Sequence, residues 1–293
     1  MRVEEMSAVI TGAAGGICAP LARGLVQQGA RVLLVGRDAD RLGKLATELA
    51  NLGLPGDARV CGDRTRVDAI AVDLATSGGR RAVCTAARER SANVLVHGAA
   101  IPAFGPLADL DDDSLGALLQ TNLLAPIALT RDLLAQLQLA PQAAVLAIGS
   151  MVGEIGLPGF AAYGASKAGL KAFCEALRRE LAGTRVRVQY LAARATRTEF
   201  NDQRVERYNM LTATHADPPE RVADAIIAML RSGQSVKHLG MPERLFVQLN
   251  ATVPTLIDVG FARHRRALAR CARPKERGDT MASSGPVEQR SHS

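Results

Sequence analysis

Short apolar runs rich in valine, isoleucine and leucine recur along the chain, separated by longer stretches in which apolar residues return every three or four positions. The short runs predict strands at Ala8–Thr11, Val32–Val35, Ala69–Val72, Val94–Val96, Ala144–Ile148, Val186–Leu191 and Val236–Leu239. The longer stretches predict helices over Ala19–Gln28, Ala39–Leu52, Gly79–Arg90, Ser114–Leu137, Tyr163–Leu181 and Pro219–Arg231. Strands alternating with helices in this way predict an α/β fold, a doubly wound parallel sheet of about seven strands. Because strand-to-strand crossovers are right-handed, the helices fall on both faces of that sheet.

Composition narrows this picture. With 293 residues, 47% of them hydrophobic, the chain can bury a sizeable core. No apolar run reaches the ~18 to 20 residues of a membrane span. Glu4 and Glu5 precede the first short apolar stretch where a secretory leader would carry basic residues, so the expected location is cytoplasmic. Cys18, Cys61, Cys84, Cys174 and Cys271 are scattered without a C-x-x-C pair, which fits reduced thiols and argues against a disulfide framework or a metal site. The net charge of +7 is uneven: residues 261–293 hold eight basic and three acidic residues, leaving the body near neutral. With only 3% aromatic residues for base stacking, nucleic-acid binding is not expected.

Two local patterns carry chemistry. The first strand runs into Thr11-Gly12-Ala13-Ala14-Gly15-Gly16-Ile17-Cys18, with a helix after it. A glycine-rich turn there lets backbone N–H groups approach a pyrophosphate, although it also serves as a plain tight turn; its place after the first strand favours the phosphate. Further on, Tyr163 and Lys167 lie one helical turn apart, with Ser150 thirteen residues before the tyrosine. A cation beside a phenol favours its ionised form, which suits acid-base catalysis, yet such a pair alone is also ordinary helix surface.

Taken together, Thr11, Gly12, Gly16, Asn122 (in QTNLLAP), Ser150 (in AIGSMVG), Tyr163 and Lys167 stand in the order and at the intervals of one family. Over about residues 5–240 the chain resembles the short-chain dehydrogenase/reductases, whose pattern is T-G-x-x-x-G-x-G, a helical Asn, a Ser after the fifth strand and Y-x-x-x-K. The resemblance implies that Tyr163 acts as general acid or base, that Lys167 lowers its pKa and binds the nicotinamide ribose, and that Ser150 holds the substrate oxygen. It implies that Asn122 holds a water linking Lys167 to solvent, and that the cofactor supplies the hydride. Implied cofactor contacts are Thr11, Gly12, Ala14, Gly15, Gly16 and Ile17 in the turn, Asp73 at the adenine, Gly98 and Ala99 after the fourth strand, Tyr163, Lys167, and Thr198 at the carboxamide. Relatives commonly dimerise through the helices carrying Asn122 and Tyr163, so a homodimer or homotetramer is implied.

Cofactor choice turns on Arg37, which follows Val35-Gly36 at the end of the second strand. An acid there would accept the ribose hydroxyls of NAD(H); an arginine pairs with the 2′-phosphate, so NADP(H) is expected over NAD(H). Asp38 is assigned to capping the next helix. Three departures from the family pattern stand out. Cys18 replaces the third glycine of the turn, His97-Gly98-Ala99-Ala100 replaces N-N-A-G, and Ala193-Arg194 replaces Pro-Gly, placing Arg194 beside the nicotinamide. His97 is expected to be a structural hydrogen-bonding residue.

Residues 199–219 fall where the family carries its substrate lid, with Phe200, Tyr208, Met210 and Leu211 facing Met151, Ile155, Leu157 and Phe160. The expected substrate is therefore a carbonyl or secondary alcohol with apolar character, such as a ketone or 3-oxoacyl compound. A nucleotide-sensing scaffold is the alternative, disfavoured by the intact Ser150, Tyr163 and Lys167. Residues 241–273 read as a helical extension, divided by Pro254 and ending in a basic cluster. It suits packing over the cleft or at a subunit interface, or docking on an anionic membrane surface or a carrier protein. Residues 274–293 are polar and rich in Gly, Pro and Ser, and are expected to be disordered.

Overall fold

A computed structural model describes residues 1–52, 66–240 and 247–272, except 251, 254, 256, 257 and 259. Seven strands form one sheet in the order β3-β2-β1-β4-β5-β6-β7. They are β1 (Ser7–Thr11), β2 (Arg31–Gly36), β3 (Val67–Ala71), β4 (Val94–His97), β5 (Ala143–Ser150), β6 (Val186–Ala193) and β7 (Val236–His238). Every pairing is parallel. A parallel sheet covered on both faces has no solvated side, which is why its central strands are continuously apolar. The alternation survives as a division between two cores. Ala8 and Ile10 of β1, with Ala144, Leu146 and Ile148 of β5, pack toward α1 (Cys18–Gln27), α2 (Ala39–Ala50) and α8 (Pro219–Ser232). Val9, with Ala143, Val145 and Ala147, packs toward α3 (Ser77–Glu89), α5 (Ala125–Leu139) and α6 (Ala161–Glu180).

Two elements depart from expectation. Strand β3 begins and ends before the expected Ala69–Val72, since Val67 is its buried first residue. The single helix expected over Ser114–Leu137 is two, α4 (Asp112–Leu119) and α5, joined by a π-helical turn at Gln120–Leu124 in which the Ala125 N–H reaches the Gln120 carbonyl. Pro126 supplies the reason: it lacks the N–H that an α-helix would give the Asn122 carbonyl, so the ladder must be re-registered there. The expected disordered tail lies outside the described residues, as does most of the segment from Glu243 to Val259 that precedes helix α9 (Ala262–Cys271).

After β6 the chain leaves the sheet, forms α7 (Gln203–Thr212) and returns to its starting point. The Asp217 N–H donates to the Ala195 carbonyl at 2.8 Å, and the Arg197 N–H to the Asp217 carbonyl at 3.0 Å. Arg194 closes the same junction: its Nε and Nη2 donate to the two Asp217 carboxylate oxygens, both at 2.7 Å. That carboxylate is buried and is also met by Arg221 at 3.1 Å. A bidentate pair of this kind fixes both position and orientation. Arg194 lines the large cavity while its charge clamps the base of the lid to Asp217.

Candidate active site

The site lies where the strand order reverses, between β1 and β4, the crevice at which parallel α/β sheets bind ligands. The Thr11 hydroxyl stitches the two strand ends together, donating to the Val96 carbonyl at 3.2 Å and accepting from the Gly98 and Ala99 N–H groups at 3.1 and 3.2 Å. Gly12 then turns the chain at φ +67°, and a Cβ there would meet the Ala99 backbone at 2.8 Å. Only glycine satisfies both demands. The turn feeds α1, whose N-cap position is Ile17, so no side-chain oxygen caps its first N–H groups. These amides, together with the helix dipole, fit a pyrophosphate.

The departures at Cys18 and Gly98 prove to be one exchange. The Cys18 Sγ sits 3.6 Å from the Thr11 carbonyl, and a Cβ on Gly98 would meet that same sulfur at 2.2 Å. The thiol thus occupies the volume that the residue after His97 gives up, and the turn keeps its close packing. Burial pushes the Cys18 thiol up to about 12, so it stays un-ionised and acts as packing. His97 is buried, with Nε2 2.7 Å from the Thr130 hydroxyl; burial and the Lys167 charge hold its pKa down at about 3. It is a neutral structural residue.

From the turn, one cavity of about 1080 Å³ runs past Arg37 and Asp73 at one end to Ser150, Tyr163 and Lys167 at the other. Arg37 is exposed at the end of β2. Asp38 accepts from the Arg41 N–H at 2.9 Å and so caps α2. Asp73 accepts from the Ala75 N–H at 2.9 Å, which orients its carboxylate at the cavity wall. Sequence reasoning missed Arg41, which donates to the Ala14 carbonyl and to Glu199, both at 3.1 Å, lying across the turn beside Arg37. Its position in the first turn of the helix after Arg37 was the available signal. Gly15, Gly16, Ile17, Gly98, Ala99 and Thr198 also line the cavity. Thr11 lies behind the wall as a buried stitch.

The catalytic candidates converge at the end of β5. Ser150 ends that strand and its hydroxyl accepts from the Val152 N–H at 3.2 Å, capping the short turn Met151–Gly153. The same hydroxyl stands by the Tyr163 phenol and pulls its pKa down. Tyr163 and Lys167 share a face of α6. The Lys167 Nζ lies 5.7 Å from the Tyr163 ring centroid and donates to the Ile148 carbonyl at 3.2 Å. Burial lowers Lys167 to about 8. Burial raises the Tyr163 pKa above its ordinary value, with Ser150 pulling it down, and burial outweighs the lowering that a nearby Lys167 cation would bring. The physical reason is that the ammonium reaches past the phenol to the strand-end carbonyl, while removing the phenolate from water dominates.

Asn122 is fully buried in the π turn. Its amide oxygen accepts from the Ile101 N–H at 2.9 Å, and its Nδ2 donates to the Ile101 carbonyl at 3.1 Å and to the Ser166 hydroxyl at 3.2 Å. It therefore ties the loop after β4 to α6 next to Lys167. On the substrate side, Met151, Ile155, Leu157, Phe160, Phe200 and Tyr208 line the cavity as expected. Met210 is instead 73% exposed, and Leu211 packs outside against Tyr208, because α7 turns only one face inward.

Two stability outcomes follow from this geometry. Gly98→Ala is expected to cost about 2 kcal/mol by overpacking against Cys18 and the Thr11 carbonyl, and adding Cys18→Gly to recover the sulfur's share, about 1 kcal/mol, while the backbone contact remains; additive losses in denaturant melts would contradict the exchange. Lys167 binds its proton less tightly folded, at about 8, than at its ordinary 10.5, so the cost of burying its cation is fully present below about pH 8 and is relieved as pH rises to 10.5. Lys167→Met should therefore stabilise the protein by about 1 to 3 kcal/mol at pH 7, an advantage that shrinks toward pH 10.5. A variant less stable than wild type at pH 7 would contradict this.

Comparison with known proteins agrees with this geometry. The family model described as short chain dehydrogenase matches residues 6–209. A dehydrogenase/reductase SDR family member 7B from Bos taurus is 32% identical over 241 residues, covering 78% of this chain and 71% of the relative. A closed serine dehydrogenase complexed with NADP+ superposes with a TM-score of 0.69 at 24% identity, covering 80% of this chain and 94% of the other. A 3-ketoacyl-(acyl-carrier-protein) reductase from Brucella melitensis complexed with NADH gives a TM-score of 0.70 at 20% identity, covering 81% and 97%. With the glycine turn, Ser150, Tyr163 and Lys167 gathered on one cavity and a family model spanning most of the chain, the protein belongs to the short-chain dehydrogenase/reductases.

Proposed function

We propose that the protein reduces a ketone or 3-oxoacyl-type carbonyl of apolar character with NADP(H). The observation that carries this reading is the single cavity joining Arg37 and the glycine turn to Ser150, Tyr163 and Lys167. The cofactor, when bound, supplies the hydride. The turn and the first amides of α1 would hold its pyrophosphate, Asp73 its adenine end, and Lys167 its nicotinamide ribose.

The chain's own residues manage the proton. Ser150 and Tyr163 present two hydroxyls to one substrate oxygen, and their donors act where negative charge grows. Burial keeps the Tyr163 phenol protonated at neutral pH, which suits proton delivery to that oxygen and hence the reductive direction. As the proton leaves, the Lys167 cation beneath the ring stabilises the phenolate left behind. The apolar wall of Met151, Leu157 and Phe160 excludes water and accepts the substrate's hydrocarbon part. One structural neighbour is recorded with NADP+ and a 3-ketoacyl reductase with NADH, so the choice of NADP(H) rests on Arg37.

For the cofactor, Arg37 has no acidic partner among the described residues and stands free to meet a 2′-phosphate. In an NADPH- and NADH-coupled screen of ketones and 3-oxoacyl thioesters, NADPH should be the better donor. Arg37→Ala should then reduce the NADPH-to-NADH ratio of kcat/KM by about tenfold, mainly through KM for NADPH. An unchanged ratio would remove Arg37 from the role, and absence of turnover across the panel would overturn the substrate class.

A further inference from the structure

Helix α9 belongs to the extension whose basic residues suit a membrane or carrier surface, but the structure spends its inner face elsewhere. His264, Ala267, Leu268 and Cys271 recur at helical spacing and turn toward α7, while Arg265, Arg266 and Arg270 face solvent. Ala267 and Cys271 are buried in a cluster with Tyr208, and Phe104, Phe160 and Leu268 pack against it. Two hydrogen bonds fix the helix in place: Arg263 Nε donates to the Leu211 carbonyl at 2.7 Å, and the Tyr208 hydroxyl lies 2.7 Å from His264 Nδ1. The His264 ring also lines the substrate cavity. Helix α9 thus forms part of the chamber's far wall, coupled to the lid helix by these two hydrogen bonds and the packing around Tyr208, and of these contacts the one between Tyr208 and His264 faces the cavity.

That contact decides which atom of the imidazole is left for a ligand. The Tyr208 phenol is buried and has one proton; among the described residues His264 Nδ1 is the acceptor within its reach. Donation from Tyr208 to Nδ1 satisfies both groups, whereas the reverse leaves a buried O–H without an acceptor. The proton of the neutral imidazole then resides on Nε2, and burial together with the Arg263 charge keeps the ring neutral by lowering its pKa. Nε2–H is then a hydrogen-bond donor on a wall where the rings of Phe160 and Tyr208 meet the polar lid residues Asn209, Thr212, Thr214 and His215. It is separated from the reacting end by a run of rings: Tyr163 to Phe160 at 6.4 Å between centroids, Phe160 to Tyr208 at 5.6 Å, and Tyr208 to His264 at 5.6 Å.

Resting on the carbonyl-reductase reading above, we propose that His264 is a specificity-determining residue whose Nε2–H receives a neutral oxygen acceptor carried by the substrate at the end remote from the reacting carbonyl. The substrate class is then a ketone with an aromatic or branched apolar middle and a distal ester, amide, ether or second carbonyl. A plain hydrocarbon end would leave Nε2–H desolvated without a partner, and a neutral donor gives a distal carboxylate no countercharge.

The test compares a matched pair of substrates, an aryl alkyl ketone and the same ketone carrying an ester at the far end of its alkyl chain. Both kcat/KM with NADPH and calorimetric Kd are measured on the full chain, for wild type, His264→Leu and Tyr208→Phe. Wild type should prefer the ester-bearing ketone by about tenfold. His264→Leu should bring that ratio near one, whatever happens to the absolute values, and Tyr208→Phe, which frees Nδ1 and the tautomer, should give an intermediate ratio. A wild type without preference, or a preference that persists in His264→Leu, overturns the proposal. If neither ketone is turned over, the reductase reading fails by itself: a binding preference lost in His264→Leu still upholds the role of His264, and equal affinities refute it.

Discussion

The site rests on how closely the ends of β1 and β4 approach each other. Thr11 bonds to both sides of that seam, and Gly12 lets the Ala99 backbone come nearer than any side chain would permit. The two strands must part beyond this point, because the chain winds in opposite senses from them, and the gap is the mouth of the cavity. Everything functional is hung from the rim so formed: the glycine turn and α1 on one side, the loop anchored by Asn122 on the other, and Ser150 one strand further along. The Cys18 and Gly98 exchange shows how strict the seam is, since a sulfur gained at the start of α1 is matched by a side chain lost just after β4.

Within that frame, polar groups are held at a cost to stability. Lys167 is buried and Tyr163 half-buried at the cavity wall, and burial moves each toward its neutral form. Such groups persist where the surrounding structure determines their positions, here through Ile148, Ser150 and the Asn122–Ser166 link. The lid is treated differently. Its base is clamped by Arg194 on Asp217 and its helix by α9, so the wall that meets substrate is built from two segments joined at Tyr208 and His264.

Much of this was legible in the residues. The β-branched runs marked the strands, and the intervals from Thr11 through Lys167 marked the site, because both depend on local spacing. The π turn was readable in principle, since Asn122 and Pro126 stand one helical turn apart, yet it hides inside a periodic helical stretch. What spacing does not carry is volume and charge across the fold. That Cys18 fills the space of Gly98, that Arg194 is spent on Asp217, and that α9 turns His264 inward are contacts between residues distant in sequence. The net direction of the Tyr163 shift is beyond spacing for the same reason: proximity to Lys167 can be read from the helix, whereas burial cannot.

The central claim is that Tyr163 donates the proton to the carbonyl oxygen that Ser150 holds. Its most direct test is kcat for Tyr163→Phe, which keeps the ring and removes the hydroxyl, measured with a ketone the wild type reduces. A fall of about a thousandfold, with cofactor affinity close to wild type, is the predicted result; undiminished turnover would contradict the account.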